Sequence, residues 1–482
     1  MIYQSSLALL TDLYELTMAY GYWKLKMMDR EAVFNLFFRR RPFQGSFAIT
    51  AGLESAIQFI ENFKFEDSDL GYLESLKAYN GKPLFEREFL DYLSTFKFSC
   101  DVDAMVEGTP VFPYEPLIRV RGPILEAQLL ESSLLNIINF QTLIATKAAR
   151  VCAAAEGDEV IEFGLRRAQG IDGALSGTRA SFVGGCHSTS NVIAGKFFGI
   201  PVKGTHAHSW IMAFDSEEEA FDAYSKVMPN NCIFLVDTYN SIEGVKHAIA
   251  TAQKEKNIKM QGVRLDSGDL AHLSIHIRKM LDEAGFTDAK IMASNELDEM
   301  IIRDLKKQGA KINLWGVGTN LITAKDQPAL DGVYKLAALQ DEKGEWCYKI
   351  KISEQLAKTT NPGILQVRRF FDEEGMAHSD MMYDVEMGLP ESFELIDPID
   401  PTMRKKVKKE MQSEELLVPI FKRGKRVYTS PSLTQIRENT LAQLKKLSEP
   451  MRRFLYPQPY FVGLEKNLYH LKMRLIEEIK ND

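Results

Sequence analysis

The segment MQGVRLDSGDLAHLSIHIRKML, which begins at Met260 and ends at Leu281, decides the fold class of this chain. It starts with a short apolar run over residues 260–265, continues through a polar cluster with one glycine, and ends in a stretch with helical spacing. A short apolar strand followed by an amphipathic helix is the repeating unit of parallel α/β sheets. We therefore predict a βα unit whose polar cluster lies at the carboxyl end of its strand.

Further apolar runs of the same kind occur along the middle of the chain. They cover residues 159–163, 199–203, 232–237, 290–293 and 311–317. Polar or glycine-rich clusters lie on or directly after nearly all of them. Because the carboxyl ends of parallel strands converge at one mouth of a (β/α) barrel, we predict a barrel-like α/β catalytic domain over residues 151–335, with its chemistry at that rim.

The length of 482 residues predicts two or three domains, since ordinary domains have about 100–200 residues. Residues 1–150 mix helical and strand-like patterns and are predicted to form an N-terminal α+β domain, with part of the C-terminal region packed on it. Residues 336–482 are predicted to be a C-terminal α+β extension. The helical patterns cover residues 12–27, 52–62, 129–155, 433–447 and 465–479, and the strand-like runs cover residues 32–38, 101–111, 333–336 and 346–351.

Composition excludes several classes of protein. The net charge of −7 argues against bulk nucleic-acid binding, which needs a basic surface. The five cysteines form no CxxC pair, so neither a disulfide framework nor a zinc ribbon is indicated, and a reducing cytosol fits best. No apolar run is long enough to span a bilayer, and no basic region precedes the apolar residues 7–10 as a secretory signal would require. We expect a cytoplasmic enzyme without a membrane partner.

The cluster VRLDSGDL at residues 263–270 carries an arginine and two carboxylates. Alternation on a strand points Arg264 and Asp266 to the same face, and Gly268 permits a tight turn that brings Asp269 back. The carboxylates could bind Mg²⁺ through water or hold sugar hydroxyls, while the arginine could bind an anion. An Asx turn in which Asp266 or Ser267 caps the next helix explains the same residues equally well.

The segment GTHAHSW at residues 204–210 places two imidazoles two residues apart. An imidazole has an unperturbed pKa of about 6.5, so part of it is unprotonated near neutral pH and can act as a nucleophile. A metal pair and a buried histidine with satisfied hydrogen bonds are the alternatives for His206 and His208.

Two further segments could bind anions. In EFGLRRAQG, Phe163 followed by Arg166 and Arg167 could receive a flat anion, because the ring stacks and guanidinium groups bind oxygens in pairs. In WGVGTN, the backbone at Gly318 and Thr319 could seat a 5′-phosphate. A surface arginine pair and a plain turn are the respective alternatives.

Two weaker patterns complete the candidates. Three consecutive arginines at residues 39–41 supply charge for a polyphosphate, although a solvated strand edge would look the same. His272 and His276 have metal-ligand spacing on a predicted helix, but no HExxH glutamate accompanies them, so exposed helix-face histidines are the better interpretation.

Taken together, these segments resemble the nicotinate phosphoribosyltransferase family over nearly the whole chain. The order of the segments is far more specific than any one of them. The segments that carry the resemblance are, in chain order, DLYELTM, FFRRRPF, AGLE, NFQTLIATKAAR, EFGLRRAQG, TSNVIAG, GTHAHSW, VDTYNS, VRLDSGD, ASNELD and GVGT.

The resemblance implies a reaction and a fold. Nicotinate would attack C1 of 5-phosphoribosyl 1-diphosphate to give nicotinate mononucleotide and pyrophosphate, a step in NAD biosynthesis. ATP hydrolysis would drive the transfer through a phosphohistidine at His208, with Mg²⁺ as the metal. The implied fold is the incomplete α/β barrel of the type II phosphoribosyltransferases, with an N-terminal α+β domain, in a homodimer with shared active sites.

The resemblance also assigns residues to the substrates. Tyr14 and Phe163 match the rings that sandwich the pyridine, with Tyr14 reaching across the dimer interface. Thr205 and Arg264 match contacts to nicotinate, with Arg166 or Arg167 as a further cationic partner.

For the sugar phosphate, Gly318 and Thr319 match the phosphate cradle, and Asp266 and Asp269 match positions for ribose or magnesium. Ser190 lies near the place where the related nicotinamide-using enzyme has an aspartate, and the absence of that acid favours an acidic substrate.

Three alternatives stay open at this point. A related phosphoribosyltransferase could use nicotinamide or quinolinate instead. A metal-dependent barrel hydrolase could use His206, His208, Asp266 and Asp269 as ligands. A catalytically silent scaffold would bind the sugar diphosphate without turnover.

Overall fold

The structure is a computed structural model and describes residues 6–254, 259–355, 358–390 and 393–481. The α-helices in these ranges are α1 (Leu13–Lys24), α2 (Leu53–Glu61), α3 (Asp67–Ser75), α4 (Arg87–Ser94), α5 (Ile124–Gln128), α6 (Glu131–Ala154), α7 (Gly170–Val183), α8 (Val192–Phe198), α9 (His208–Met212), α10 (Glu217–Val227), α11 (Ser241–Lys254), α12 (Leu270–Glu283), α13 (Glu299–Lys307), α14 (Thr319–Ile322), α15 (Leu433–Lys445) and α16 (Lys466–Asn481).

The strands in the same ranges are β1 (Glu31–Phe38), β2 (Ala48–Ile49), β3 (Asp101–Met105), β4 (Pro110–Val111), β5 (Ile118–Pro123), β6 (Glu159–Glu162), β7 (Ser188–Thr189), β8 (Cys232–Leu235), β9 (Met260–Leu265), β10 (Lys290–Ala293), β11 (Leu314–Val317), β12 (Gly332–Gln340), β13 (Trp346–Tyr348), β14 (Leu365–Phe371), β15 (Ala377–Asp384), β16 (Phe393–Ile396), β17 (Arg404–Val407), β18 (Ser413–Glu415), β19 (Leu417–Lys422), β20 (Lys425–Arg426) and β21 (Val462–Glu465).

The chain divides into two compact units. Unit 1 comprises the residues up to Leu143 and from Ala329 onward, and unit 2 comprises Ile144–Pro328. Unit 1 contains an antiparallel sheet in the order β13-β12-β1-β5-β3-β19-β20 and a mixed sheet in the order β17-β16-β21-β15-β14-β18. The sequence of β1 is apolar because all of its residues except the first are buried.

Unit 2 contains one parallel sheet in the order β7-β6-β11-β10-β9-β8. Strands β8 to β11 are neighbours in both sequence and space, as in a βα barrel. Strands β7 and β8 follow each other in the chain but occupy opposite edges, where a closed barrel would pair them. The sheet is therefore a half-barrel, as predicted for this fold class.

The segment at residues 260–281 forms the predicted βα unit. Strand β9 pairs with β8 and β10, and three of its last four residues are buried. Helix α12 begins after Asp269 and buries residues at helical spacing against the sheet, Leu270, Ser274, Ile277 and Leu281 among them. Gly268 has a φ of +80°, so the turn between strand and helix uses a conformation that L side chains rarely adopt.

Most predicted elements are confirmed within one to three residues at each end, but the predicted strand at residues 333–336 is longer, β12. The predicted strand at residues 199–203 is wrong: Gly199 ends α8 with a φ of +70°, and Val202 forms a single isolated bridge with Thr189. Pro201 has no N–H to donate to a ladder, which limits the pairing there. The predicted strand at residues 101–111 is two strands, β3 and β4, and those at residues 311–317 and 346–351 are shorter, β11 and β13.

No helix in the described part of the chain has the length and apolar character that a bilayer crossing requires.

Candidate functional site

The carboxyl ends of the unit 2 strands surround Arg264, which is held by side chains from three segments. Its Nε–H donates to Ser294 Oγ at 2.8 Å, Nη1 donates to Thr205 Oγ1 at 3.1 Å, and Nη2 donates to Asp266 Oδ1 at 3.3 Å. The side chain is 13% exposed. The guanidinium plane is therefore fixed before any ligand arrives.

This fixed guanidinium keeps two donors for a ligand. A guanidinium carries five N–H groups, and three of them have the partners just named among the described residues. One N–H on each terminal nitrogen is left, which is the pattern that binds a carboxylate in a bidentate manner. The Arg264 Cζ also lies 5.7 Å from the centre of the Phe163 ring.

The neighbouring strand β11 holds the Phe163 ring in place. Its backbone N–H donates to Val317 O at 2.8 Å, which continues the β6–β11 pairing by one residue. A Cβ added to Gly316 would lie 2.8 Å from the ring, so only glycine at this position lets the ring lie where it does. Phe163 is half-buried. The ring and Arg264 together can receive a flat, aromatic carboxylate.

The residue before Phe163 anchors this loop. Glu162 is fully buried, and its carboxyl accepts hydrogen bonds from the Gly164 N–H, from Thr178 Oγ1 at 2.9 Å and from Thr189 Oγ1 at 2.6 Å. Burial raises the pKa of Glu162, and the three donors act in the opposite direction. The sequence analysis did not single out Glu162, although it starts the quoted EFGLRRAQG segment.

His208 is the first residue of α9 and faces the same strand ends. Its Nδ1 lies 3.1 Å from Thr238 Oγ1, and its Nε2 lies 3.6 Å from Asp266 Oδ2. The side chain is 40% exposed. When the Nδ1–H donates to Thr238, the lone pair of Nε2 is free to act as a nucleophile or acceptor.

Asp266 connects His208 to Arg264. Burial acts to raise the pKa of its carboxyl, but a hydrogen bond from Ser294 and the charge of Arg264 outweigh burial and hold the pKa of Asp266 below its usual value. The group is therefore a carboxylate at neutral pH. Ser294, which follows β10, contacts both Arg264 and Asp266 and was missed by the sequence analysis.

Asp237 is a third site residue that was not predicted from the sequence. Its Oδ2 accepts from the Asp266 N–H and from Ser267 Oγ, each at 2.7 Å, so it fixes the loop after β9. Its Oδ1 is buried and has no hydrogen-bond partner in the described residues. The available signal was its position as the last residue of a predicted strand, in the segment VDTYNS.

Asp269 has a structural task that the sequence analysis gave to its neighbours. Its Oδ1 accepts from the His272 N–H at 3.0 Å and caps α12. The alternative in which Asp266 or Ser267 caps this helix is therefore wrong. Asp269 is exposed at the strand end, so its carboxylate is also accessible to a ligand.

Gly318 follows β11 directly and is the N-cap of α14, which begins at Thr319. Thr319 Oγ1 lies 3.3 Å from Glu296 Oε1, and both residues are partly accessible. The neighbouring loop after β10 contains Asn295 with a φ of +112°, an uncommon backbone conformation for a residue other than glycine.

The other predicted residues lie elsewhere in the chain. Arg166 and Arg167 are exposed on a 3₁₀ turn, Leu165–Arg167, after the Phe163 loop. Tyr14 lies on α1 in unit 1 and is 46% exposed. His272 and His276 are exposed on α12, so their interpretation as ordinary helix-face histidines is confirmed.

His206 does not share the surroundings of His208. It is 8% exposed, and its Nε2 accepts a hydrogen bond from the Leu235 N–H at 3.2 Å. A lone pair engaged in this way is not available to a metal ion. The pairing of His206 and His208 as metal ligands, which the hydrolase alternative requires, has no support in this geometry.

The donor set fits a magnesium ion that is bound together with a substrate. In residues 6–254, 259–355, 358–390 and 393–481, no three His, Cys, Asp or Glu side chains are arranged to hold a metal alone. Magnesium commonly binds through one or two carboxylates, waters and substrate phosphates. The carboxylates of Asp266 and Asp269, with the partnerless Oδ1 of Asp237 nearby, supply hard oxygen donors of this kind.

Three family models match the chain. The nicotinate phosphoribosyltransferase (NAPRTase) N-terminal domain matches residues 9–139, the NAPRTase family matches residues 159–385, and the NAPRTase C-terminal domain matches residues 365–472.

Curated relatives match over nearly their whole length. The chain is 45% identical over 483 residues to the nicotinate phosphoribosyltransferase of Bacillus subtilis (strain 168), with 99% of this chain and 96% of that protein covered. It is 33% identical over 522 residues to the nicotinate phosphoribosyltransferase of Homo sapiens, with 96% and 95% covered.

Solved structures confirm the predicted fold class. The crystal structure of human nicotinic acid phosphoribosyltransferase superimposes with a TM-score of 0.82 at 30% identity, and it covers 96% of this chain and 99% of that chain. A nicotinate-nucleotide pyrophosphorylase from Pyrococcus furiosus shares the fold, with a TM-score of 0.67 at 23% identity over 90% of this chain and 94% of that chain.

Proposed function

Because the chain belongs to the nicotinate phosphoribosyltransferase family and so has a phosphoribosyl-transfer role in NAD salvage, we propose that this transfer is coupled to ATP hydrolysis through a phosphohistidine at His208. Nicotinate and 5-phosphoribosyl 1-diphosphate are the substrates, and nicotinate mononucleotide and pyrophosphate are the products.

The observation that carries the choice of nicotinate is the pair of unengaged Arg264 N–H groups beside the half-buried ring of Phe163. The pyridine ring stacks on Phe163. The nicotinate carboxylate accepts hydrogen bonds from the two remaining N–H groups of Arg264, and Thr205 lies beside them. Arg166 or Arg167 adds positive charge. Tyr14 of a second subunit supplies the opposite ring wall in a homodimer.

The transfer is a displacement at C1 of the sugar. The nicotinate nitrogen forms a bond to C1 while the bond between C1 and the diphosphate oxygen breaks, and the electron pair leaves with pyrophosphate. Gly318 and Thr319 hold the 5′-phosphate, and the carboxylates of Asp266 and Asp269 face the ribose. Preorganised charges around a developing cation lower its barrier without reorganisation in the transition state.

The coupling step uses His208. The Nε2 lone pair attacks the γ-phosphorus of ATP, a phosphorus–nitrogen bond forms, and ADP leaves with the electron pair of the broken bond. The Nδ1–H keeps its hydrogen bond to Thr238, which fixes the tautomer and the ring plane. Water later hydrolyses the phosphohistidine to inorganic phosphate and restores the free imidazole.

The acidic side chains at the strand ends would repel a sugar diphosphate in the absence of a cation. Asp266 and Asp269 would hold Mg²⁺, which neutralises phosphate charge and stabilises the departing pyrophosphate when it is bound. Asp237 supports this arrangement because it fixes the loop that carries both aspartates.

Replacing His208 tests the proposed coupling. His208→Ala should abolish nicotinate-dependent ADP release and remove the acid-labile ³²P label that γ-labelled ATP leaves on the protein, while slow uncoupled transfer continues. The assay follows mononucleotide and ADP together, with and without ATP. His276→Ala, an exposed histidine on α12, is the matched control and should behave as the wild type.

A label that persists in His208→Ala would place the phosphohistidine elsewhere. The same assay with nicotinamide or quinolinate in place of nicotinate tests the substrate, because a quinolinate enzyme would release carbon dioxide and need no ATP.

A further inference from the structure

His206 is a buried imidazole that the proposed reaction does not use. Its ring packs edge-to-face on Tyr224 with 4.7 Å between ring centres and contacts Phe221, both on α10. Its Nε2 accepts the Leu235 N–H, which lies on the edge strand β8. Leu235 is fully buried, so this N–H has no access to water.

The hydrogen bond between Leu235 and His206 lies at the edge of the sheet where the half-barrel does not close. On one edge of the sheet, the segment before His206 runs beside β7, with the Lys203 N–H donating to Thr189 O and the Thr189 N–H donating to Pro201 O, each at 3.0 Å. On the other edge, β8 has no neighbouring strand among the described residues. The imidazole therefore satisfies an edge donor that a neighbouring strand would satisfy in a closed barrel, and it links the segment after β7 to β8.

This link depends on an uncharged ring. Burial lowers the pKa of His206 to about 4, and the charge of Arg264 and the neighbouring His208 act in the same direction. The remaining ring nitrogen, Nδ1, faces Ala207 O at 3.5 Å and carries the hydrogen in the neutral tautomer. The rings of Tyr224 and Phe221 add no charge.

Two site residues flank the link. Thr205 directly precedes His206 and orients Arg264 through its hydroxyl, and His208 follows two residues later. We propose that His206 is a positioning residue, whose Nε2 bond to β8 sets the placement of Thr205 against Arg264 and of His208 against Thr238 and Asp266. The proposal rests on the proposed function, because the roles of Arg264 and His208 give this placement its effect.

Two substitutions distinguish the effect of the His206 Nε2 acceptor from the effect of the ring shape. His206→Phe keeps a ring in the aromatic cluster and removes the acceptor, whereas His206→Gln keeps an acceptor near the Nε2 position. His206→Phe should raise the KM for nicotinate about tenfold in the reaction without ATP, since misplaced binding groups lower catalytic efficiency by factors of this order. It should also slow ³²P labelling of His208 about tenfold, and His206→Gln should recover most of both losses.

The tests also distinguish this proposal from a general loss of folding and from failure of the ATP coupling. Circular dichroism and thermal melting identify variants that fail to fold, and ¹⁵N NMR of the wild-type histidines should show one Nδ1–H tautomer that does not titrate between pH 5 and 8. His276→Phe is the control. A wild type without any phosphohistidine would overturn the coupling alone, because the effect on KM is measured without ATP.

The proposal is overturned if folded His206→Phe keeps the wild-type KM and labelling rate, if His206→Gln is as impaired as His206→Phe, or if the tautomer is Nε2–H.

Discussion

Arg264 shows how one residue combines structure and recognition. Three of its N–H groups fix the guanidinium, and one N–H on each terminal nitrogen has no partner among the described residues. A lysine carries the same charge but has one nitrogen and no rigid fork, so it cannot make the three internal bonds and also bind a carboxylate in pairs.

Arg264→Lys should therefore lower kcat/KM for nicotinate by about 10²–10³, the usual cost of losing a preorganised contact. Steady-state kinetics with varied nicotinate at saturating sugar diphosphate measure the effect. Lys279→Arg, on the exposed side of α12, is the control. A near-wild-type value for Arg264→Lys would remove Arg264 from the binding site.

Ser190 is the residue at which the choice between acid and amide substrates should be adjustable. It follows β7, and its N–H donates to Glu162 O at 3.0 Å, one residue before Phe163 in the chain. A carboxylate there would repel nicotinate and could accept the amide N–H of nicotinamide.

Ser190→Asp should shift the ratio of the kcat/KM values for nicotinamide and nicotinate toward nicotinamide. Asparagine has the size of aspartate without its charge, so Ser190→Asn should shift this ratio much less. Competition between the two pyridines in one assay gives the ratio directly. An unchanged ratio in Ser190→Asp would contradict the role of this position.

At the scale of elements, two adjacent strands determine where the Phe163 ring lies. Gly316 on β11 and Phe163 after β6 lie side by side because the two strands pair in parallel with Val317 opposite Glu162. The missing side chain at Gly316 provides the space that the Phe163 ring occupies.

Gly316→Ala should displace the Phe163 ring and raise the KM for nicotinate about tenfold, since an added methyl group in a tightly packed position costs about 1–3 kcal/mol. Kinetics and thermal melting are measured together. Gly71→Ala is the control, because a Cβ at this helical glycine of α3 meets no other atom within 4 Å. Unchanged binding of nicotinate in Gly316→Ala would show that the ring does not contact the substrate.

Some strands could be predicted from the sequence pattern, whereas the run at residues 199–203 could not be interpreted correctly from it. The apolar runs of β6, β8, β9 and β10 were predictable because buried parallel strands need continuous apolar sequence. The run at residues 199–203 has the same composition but lacks the donor at Pro201, so it forms only one bridge. Composition alone does not report which backbone groups will find partners.

At the scale of the whole molecule, unit 1 contains a buried ionisable network that should make stability depend on pH. Arg369 and Asp380 form an ion pair at 2.6 Å with almost no exposure, and Tyr460 donates to Asp380 at 2.7 Å. Glu115 is fully buried beside Asp380, and its Oε1 has no donor in the described part of the chain. Burial, followed by the charge of Asp380, raises the pKa of Glu115 well above its usual value.

The sign of the effect follows from the raised pKa. The folded state keeps the Glu115 proton at pH values where the unfolded state has lost it, so the contribution to stability is full below about pH 4.5 and decreases as pH rises toward the folded pKa. Glu115→Gln removes the titrating group and keeps an acceptor for the Phe112 N–H, which Glu115 Oε2 now accepts at 2.9 Å.

The free energy of unfolding of Glu115→Gln should therefore decrease less than that of the wild type between pH 5.5 and 7.5, by up to about 1.4 kcal/mol per pH unit. Urea unfolding at both pH values measures this difference, and Glu74→Gln at an exposed position is the control. Parallel pH dependence of Glu115→Gln and the wild type would show that Glu115 carries no extra proton in the folded state.

The sequence by itself determined the βα periodicity, the location of polar clusters at strand ends, and the ordered motifs of the family, because burial and turn chemistry act on neighbouring residues. Only the tertiary structure decided which of these residues meet. Asp237, Ser294 and Glu162 became visible as site residues through contacts with groups about 16 to 30 positions away, and His206 and His208 separated into different roles. Such contacts depend on the order and edges of the sheet, which no local pattern of the chain encodes.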